Sequence, residues 1–160
     1  VAVMKDGRIE QIGTASSVYD SPESSFVAGF IGRQNSFAGT IASFDNAGVR
    51  VQTAGLSLYS SRPTRGSVPA ASGAEVSAAI RPESVTVTSG PGPASDATVN
   101  SVTGTLLGVS ELGHSLQLVV HTPSDDQILA RLPRAANPPT ELGSSVTCSW
   151  TADAVRIFTS

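Results

Sequence analysis

From Phe37 to the end of the chain no segment sustains the 3.6-residue apolar spacing of a long helix; short alternating runs are cut every few residues by Gly, Pro, Asn or Asp. A chain interrupted this often can bury its apolar side chains only by stacking many short strands. The runs are Phe37 to Phe44, Val49 to Leu58 after an Asn46-Ala47-Gly48 turn, Glu75 to Ile80, Val85 to Thr88, Thr98 to Gly108, Leu116 to His121, Gln127 to Leu132 and Val146 to Trp150, with Ala154 to Phe158 closing the chain. Two loops separate them, Ser60 to Gly73 with Pro63, Gly66 and Pro69, and Ser89 to Ala94 with Gly90-Pro91-Gly92-Pro93, because Pro offers no N–H to a ladder. Short strands in this number, with no long helix between them, predict an all-β fold, either a small barrel or a sandwich. In the late strand the period-two alternation points Val146, Cys148 and Trp150 toward the core. No repeat at a fixed period is visible along the chain.

The first residues read differently. Val1 to Gly13 is a β-hairpin turning at Asp6-Gly7. A two-stranded ribbon is marginal alone, and Val1 opens directly on a β-type run, so this segment is expected to derive from a longer chain. Thr14 is placed to cap a short helix through Ser16, Ser17, Val18 and Tyr19. Ser21-Pro22 repeats the device for a second helix, on which Phe26, Val27 and Phe30 share a face and which Gly32 can end. A boundary near Gly32 to Ser36 divides the chain into residues 1–34 and residues 35–160.

Charge and composition exclude several functions. The net charge is −3, only 14% of residues are charged, and the closest basic pairs are Arg62/Arg65 and Arg131/Arg134, so no stripe follows a phosphate backbone. Aromatics are 5% of the chain and too few to stack bases, and nucleic acid is not an expected partner. No apolar run approaches the roughly 20 residues of a helical span, so no direct membrane insertion is expected. Cys148 is the single cysteine, which removes disulfide frameworks and multi-cysteine zinc sites and fits a reducing compartment.

Catalytic patterns are equally sparse. Neither G-x-x-x-x-G-K-[ST] nor G-x-G-x-x-G occurs, so the usual phosphate cradles are missing from this sequence. Ser110 in Gly108-Val109-Ser110-Glu111-Leu112 lacks the last glycine of a nucleophile elbow. His114 and His121 lie seven residues apart, on opposite faces of a strand, and Asp125-Asp126 has the character of a solvated hairpin turn. No catalytic, cofactor-binding or metal-binding residue is predicted. One local feature stands out: Arg81-Pro82-Glu83 directly follows a strand, and the fixed φ of Pro82 sets the chain direction so that Arg81 and Glu83 project toward a common surface. With Phe26 and Phe30 they are the candidate partner-contact residues.

Val1 to Thr14, followed by Val18-Tyr19-Asp20-Ser21-Pro22 and Phe26-Val27-Ala28-Gly29-Phe30-Ile31-Gly32, resembles the end of the nucleotide-binding domain of importer-type ABC ATPases. That family continues into a transport-associated OB domain, whose landmarks Asn35 and Gly39, the Ile80-Arg81-Pro82-Glu83 turn, Leu112-Gly113 and the Val146 to Trp150 strand resemble. The resemblance implies an OB-like small barrel behind a hairpin and two short helices, in a non-enzymatic regulatory and dimerisation domain. For the parent protein it implies ATP and Mg as cofactors, transporter membrane subunits and a nucleotide-binding domain as partners, homodimerisation, and a cytoplasmic location at the inner face of the membrane. The segment Gly32 to Gly39 is similar to the polyamine and ferric-iron subgroup. Where the family carries Pro and two carboxylates this chain has Ala15, Ser16 and Ser17, which weakens the first helix by about 0.3–1 kcal/mol through the lost macrodipole interaction. A binding-module alternative is an OB-like domain holding a small ligand or oxyanion on hydroxyl and backbone N–H groups.

Overall fold

Asp6 and Gly7 both take left-handed backbone angles (φ 50° and 77°), the two-residue turn that joins strands without splaying them. They connect β1 (Ala2–Lys5) to β2 (Arg8–Ile12) in the expected antiparallel hairpin. The computed structural model describes residues 1–62, 65–66 and 71–159. Thr14 caps α1 (Ala15–Asp20), its Oγ1 accepting from the Ser17 N–H at 3.1 Å. The second helix, α2 (Ser25–Ile31), does not begin at Pro22 as the sequence predicts; Ser24 caps it instead. The buried Gln11 amide explains the delay, since it donates to Ser21 O (3.1 Å) and accepts from the Glu23 N–H (3.1 Å), which holds the intervening chain out of a helix. Phe26 and Phe30 stack on the helix as the shared face predicts, but that face is not buried throughout. Val27 is buried with Val3 and Val18 in a small apolar cluster, Phe26 packs at its margin, and Phe30 is 65% exposed.

Among the described residues eleven further strands follow: β3 (Asn35–Asp45), β4 (Gly48–Thr53), β5 (Ser57–Ser60), β6 (Arg65–Gly66), β7 (Glu75–Ile80), β8 (Thr86–Ser89), β9 (Val99–Glu111), β10 (Ser115–His121), β11 (Gln127–Pro133), β12 (Ser145–Thr151) and β13 (Arg156–Thr159). The run expected from Val49 to Leu58 is two strands, because Thr53 Oγ1 accepts from the Leu56 N–H (3.0 Å) and donates to Leu56 O (3.1 Å), folding Ala54-Gly55 into a tight corner. Of the loop expected over Ser60 to Gly73, residues 63, 64 and 67–70 lie outside the described residues, and Arg65 and Gly66 pair in parallel with Phe158 and Thr159.

The strands form two facing sheets, β11-β10-β9-β12-β8 and β5-β4-β3-β7-β13-β6, in a barrel-like arrangement around one core. Alternation directs the inward set, as in β10, where Leu116, Leu118 and Val120 are buried, each contributing about 1.5–3 kcal/mol relative to exposure. Val146, Cys148 and Trp150 point inward as predicted.

A repeat missing from the sequence reading emerges here. The order β5-β4-β3-β7-β13 matches β11-β10-β9-β12-β8 strand for strand, with the fifth strand of each sheet supplied by the other half of the chain. Asn35-Ser36-Phe37-Ala38-Gly39-Thr40 and Asn100-Ser101-Val102-Thr103-Gly104-Thr105 open the equivalent strands β3 and β9. A Cβ at Gly39 would lie 2.5 Å from Gln52 O, and one at Gly104 would lie 2.5 Å from His121 O, so both positions need glycine for the same close approach. Thr122 repeats the corner role of Thr53, its Oγ1 accepting from the Asp126 N–H at 3.2 Å. Turns of different length between equivalent strands hide this correspondence from a search at fixed period.

Two buried asparagines join the sheets. Asn35 Nδ2 donates to Leu129 O (2.9 Å) while its Oδ1 accepts from the Leu129 N–H (2.8 Å), so β3 grips edge strand β11. Asn100 grips edge strand β5 in the same way, accepting from the Tyr59 N–H (2.7 Å) and donating to Tyr59 O (3.0 Å). Replacing either asparagine by alanine strands one buried N–H and one C=O, and is expected to cost about 2–4 kcal/mol, read from the urea unfolding midpoint. Losses below about 0.5 kcal/mol for both variants would show that the sheets hold together without the clamps.

Candidate functional site

At one end of the barrel two short 3₁₀ turns lie in equivalent places of the two halves, Pro82–Ser84 after β7 and Ala152–Ala154 after β12. Pro82 has no N–H to continue a ladder, so the chain leaves β7 at Arg81 and turns, with Ser84 N–H reaching Arg81 O at 3.0 Å. Arg81 and Glu83 thereby project toward helices α1 and α2. Arg81 Nη1 donates to Gly32 O (2.9 Å) and Arg33 O (3.3 Å) at the end of α2, and its guanidinium lies 4.4 Å from the centre of the Tyr19 ring. The Tyr19 hydroxyl donates to Glu83 Oε1. Desolvation in this packed setting lowers the Arg81 pKa from its ordinary value, and the nearby Asp20 charge opposes that shift.

The second turn contributes a matching contact. Arg156, immediately after Val155, donates through Nε (3.3 Å) and Nη2 (2.9 Å) to Asp20 O and through Nη1 to Asp153 O (2.7 Å). Arg62 Nε also reaches Asp153 O, at 2.6 Å. Asp153 accepts the Thr151 hydroxyl at 2.5 Å, which with Arg62 and Arg156 nearby holds its carboxyl below the usual range. Between the helices and the two turns is a cavity of about 440 Å³.

Of the sequence candidates, Arg81 and Glu83 meet at this junction, through Tyr19. Phe26 and Phe30 are elsewhere, stacked on α2 with ring centres 5.8 Å apart and with Lys5 Nζ 5.0 Å over the Phe26 ring. Tyr19 and Asp20 enter the sequence reading only through the family resemblance and Arg62 only as half of a basic pair, while Asp153 and Arg156 carry no signal there, because their roles depend on backbone carbonyls and rings distant along the chain. Ser110 sits in β9 opposite Gln117, on a strand and not on a strand-to-helix elbow. His121 Nε2 lies 2.7 Å from Asp125 Oδ1, in the hairpin where Asp125 takes a φ of 67°. Among the described residues no group of three or more His, Cys, Asp or Glu is arranged to hold a metal ion. No described helix is long and apolar enough to cross a membrane.

A strand-exchanged, barrel-like β domain clasped to a hairpin-and-helix unit through arginine contacts is the class of protein these features define. A family model described as the TOBE domain matches residues 78–158, and the chain belongs to that family. It is 32% identical to the spermidine/putrescine import ATP-binding protein PotA of Trichodesmium erythraeum, over 94% of this chain and 39% of the relative. It is 35% identical to the protein of the same description from Acidothermus cellulolyticus, over 81% of this chain and 32% of the relative. A shorter match, 52% identical over 42 residues, is to the sulfate/thiosulfate import ATP-binding protein CysA of Caulobacter vibrioides, covering 26% of this chain and 12% of that protein. The chain spans about two fifths of the length of the first two curated relatives it matches. Among solved structures, the cytoplasmic molybdate-binding protein ModG with molybdate bound has the same fold, with a TM-score of 0.64, 18% identity, and coverage of 79% of this chain and 96% of that chain.

Two outcomes test the geometry. Burial pushes the Cys148 thiol up to about 12, so in the native protein at pH 8 it stays protonated and is expected to resist a thiol reagent that labels it rapidly in urea; rapid native labelling would contradict its core position. Arg81→Ala removes the ties to Gly32, Arg33 and Tyr19 together, and is expected to accelerate amide exchange in α1 and α2 while β9 and β10 keep their protection. Unchanged exchange in the helices would show that Arg81 does not hold them.

Proposed function

We propose that this chain is the regulatory and dimerisation part of the ATP-binding subunit of an ABC importer, with residues 1–34 ending the nucleotide-binding domain and residues 35–160 forming the transport-associated OB-like domain. The observation that carries the reading is the alignment of nearly the whole chain, hairpin and helices included, with spermidine/putrescine import ATP-binding proteins. The arginine ties at the junction support it, because they supply a route by which the barrel feels the position of the helices. On this reading the chain is not itself an enzyme; ATP and Mg act in the nucleotide-binding domain of the parent, which drives polyamine uptake from the inner face of the membrane together with membrane subunits. Self-association follows from the uncovered hairpin face, where Met4, Ile9 and Ile12 are exposed, and from pairing between OB-like domains.

Two measurements test this. Sedimentation of the 160-residue chain at tens of micromolar, roughly the range that modest interfaces reach, is expected to give a dimer, and a persistent monomer would remove the dimerisation role. In an intact subunit assembled with its membrane partners, Arg81→Ala is expected to lower transport-coupled ATP hydrolysis severalfold with nucleotide affinity unchanged. Hydrolysis equal to that of the unsubstituted subunit would overturn the regulatory role.

A second reading, an oxyanion-binding module, is favoured by the arginines around the junction cavity and by the molybdate-binding description of the fold neighbour.

A further inference from the structure

The two ends of the Arg81 guanidinium are unequally satisfied. Nη1 donates to the Gly32 and Arg33 carbonyls, whereas Nη2 is buried and has no hydrogen-bond partner. An unpaired buried donor on a charged group costs more than a neutral one, and folded chains keep few of them. The centre of the Tyr19 ring lies 4.4 Å from the guanidinium, and the hydroxyl at the tip of that ring donates to Glu83 Oε1. Tyr19 is exposed, so the ring that covers the arginine stands at the surface.

A carboxylate stands close by without being paired to it. Asp20 is the charge that opposes the desolvation of Arg81, yet among the described residues the two form no ion pair. Asp20 is also the last residue of α1, and no basic residue stands in that turn. A negative charge there meets the carbonyl end of the helix dipole, which disfavours it. Both members of the missing pair are therefore held at a cost, one as a buried donor and the other as an exposed carboxylate beside helix carbonyls. The acceptors that Arg81 does use belong to half-buried Gly32 and exposed Arg33, where water can replace the guanidinium. Arg156 fixes the Asp20 carbonyl through Nε and Nη2, which keeps the Asp20 backbone at the junction.

We propose that the junction is a two-state latch: when the Tyr19 ring leaves Glu83, the Arg81 head releases the Gly32 and Arg33 carbonyls and pairs through Nη2 with the Asp20 carboxylate. In the first state the barrel holds the end of α2, and in the second it holds the end of α1. A hydrogen bond between two charged groups is roughly twice as strong as one between neutral groups, which offsets uncovering the guanidinium. Ala28 stays packed with Ala79 and Phe158 in both states, so the change is confined to side chains and to the chain at Gly32 and Arg33. Any contact with another domain that favours one state shifts the population toward it. The inference deepens the regulatory reading and rests on it for the use of the latch, while the exchange itself belongs to this chain.

The test is amide-nitrogen relaxation dispersion on the 160-residue chain, which reads exchange on the microsecond-to-millisecond scale, with Tyr19→Phe, Asp20→Asn and the double variant alongside. Exchange is expected at Gly32 and Arg33. Tyr19→Phe loses the tie to Glu83 and is expected to raise the minor population about threefold or more, whereas Asp20→Asn removes the charged acceptor and lowers it by a similar factor. Both side chains are exposed, so the variants are expected to fold. Exchange that emerges only in Tyr19→Phe and is lost in the double variant supports the latch with a smaller second population. Flat profiles at Gly32 and Arg33 in both the unsubstituted chain and Tyr19→Phe, or exchange that Asp20→Asn leaves unchanged, would overturn it. Dispersion is read in this chain and coupled hydrolysis in the assembled subunit, so failure of the latch and failure of the regulatory reading are separate results.

Discussion

Each sheet of the barrel ends in a strand whose backbone is hydrogen-bonded by an asparagine from the facing sheet. A side-chain amide presents one donor and one acceptor side by side, as a peptide group does, so Asn35 and Asn100 extend the ladder across a gap that no strand fills. The edges β11 and β5 are thereby covered on the side where they would otherwise offer unpaired groups. Both asparagines stand at the first turns of long strands, four residues before the glycines whose missing side chains admit the neighbouring backbone. Gln11 uses the same device on a smaller scale, holding Ser21 to Glu23 and so deciding where α2 starts. Three amides therefore set the relative positions of hairpin, helices and sheets.

Strand exchange does the rest. Because β8 joins the sheet of the second half and β13 joins the sheet of the first, the two 3₁₀ turns that precede them are carried to the same end of the barrel. Equivalent turns in a duplicated fold would be expected to do equivalent things, yet these have diverged: one presents Arg81 and Glu83, the other Thr151 and Asp153. The asymmetry lets one arginine grip the end of α2 and another grip the end of α1. Helices this short have little stability of their own, and a carbonyl at each helix end is satisfied by a guanidinium from the barrel. The junction and its cavity are thus consequences of topology, and function in this family member is most economically sought there.

The TOBE domain match covers residues 78–158, the later part of the barrel, and the alignments with whole relatives extend over nearly all of the chain. The hairpin and helices have their own small core of Val3, Val18 and Val27, separate from the main one. A third buried cluster, Ala28 of α2 with Ala79 of β7 and Phe158 of β13, joins the two, so the helix unit is seated on the barrel by apolar packing as well as by the arginine contacts.

Much of this was legible in the chain itself. Alternation and Gly/Pro punctuation marked nearly every strand, the Asp6-Gly7 turn, the Thr14 cap and the inward face of Cys148, because each depends on residues within a few positions of one another. Asn35, Gly39, Arg81 and Glu83 also drew notice. The sequence could not show why they matter: the partner of Asn35 is Leu129, that of Glu83 is Tyr19, and Arg81 holds Gly32 and Arg33. Asn100 and Arg156 escaped notice, and Arg62 stood out only as half of a basic pair, because a polar residue's partner is chosen by which strands become neighbours. Local periodicity determines which faces are apolar and where the chain turns; the exchange of strands between halves, the clamps and the arginine-lined cavity arise only once long-range backbone pairing brings distant carbonyls and rings within hydrogen-bond reach.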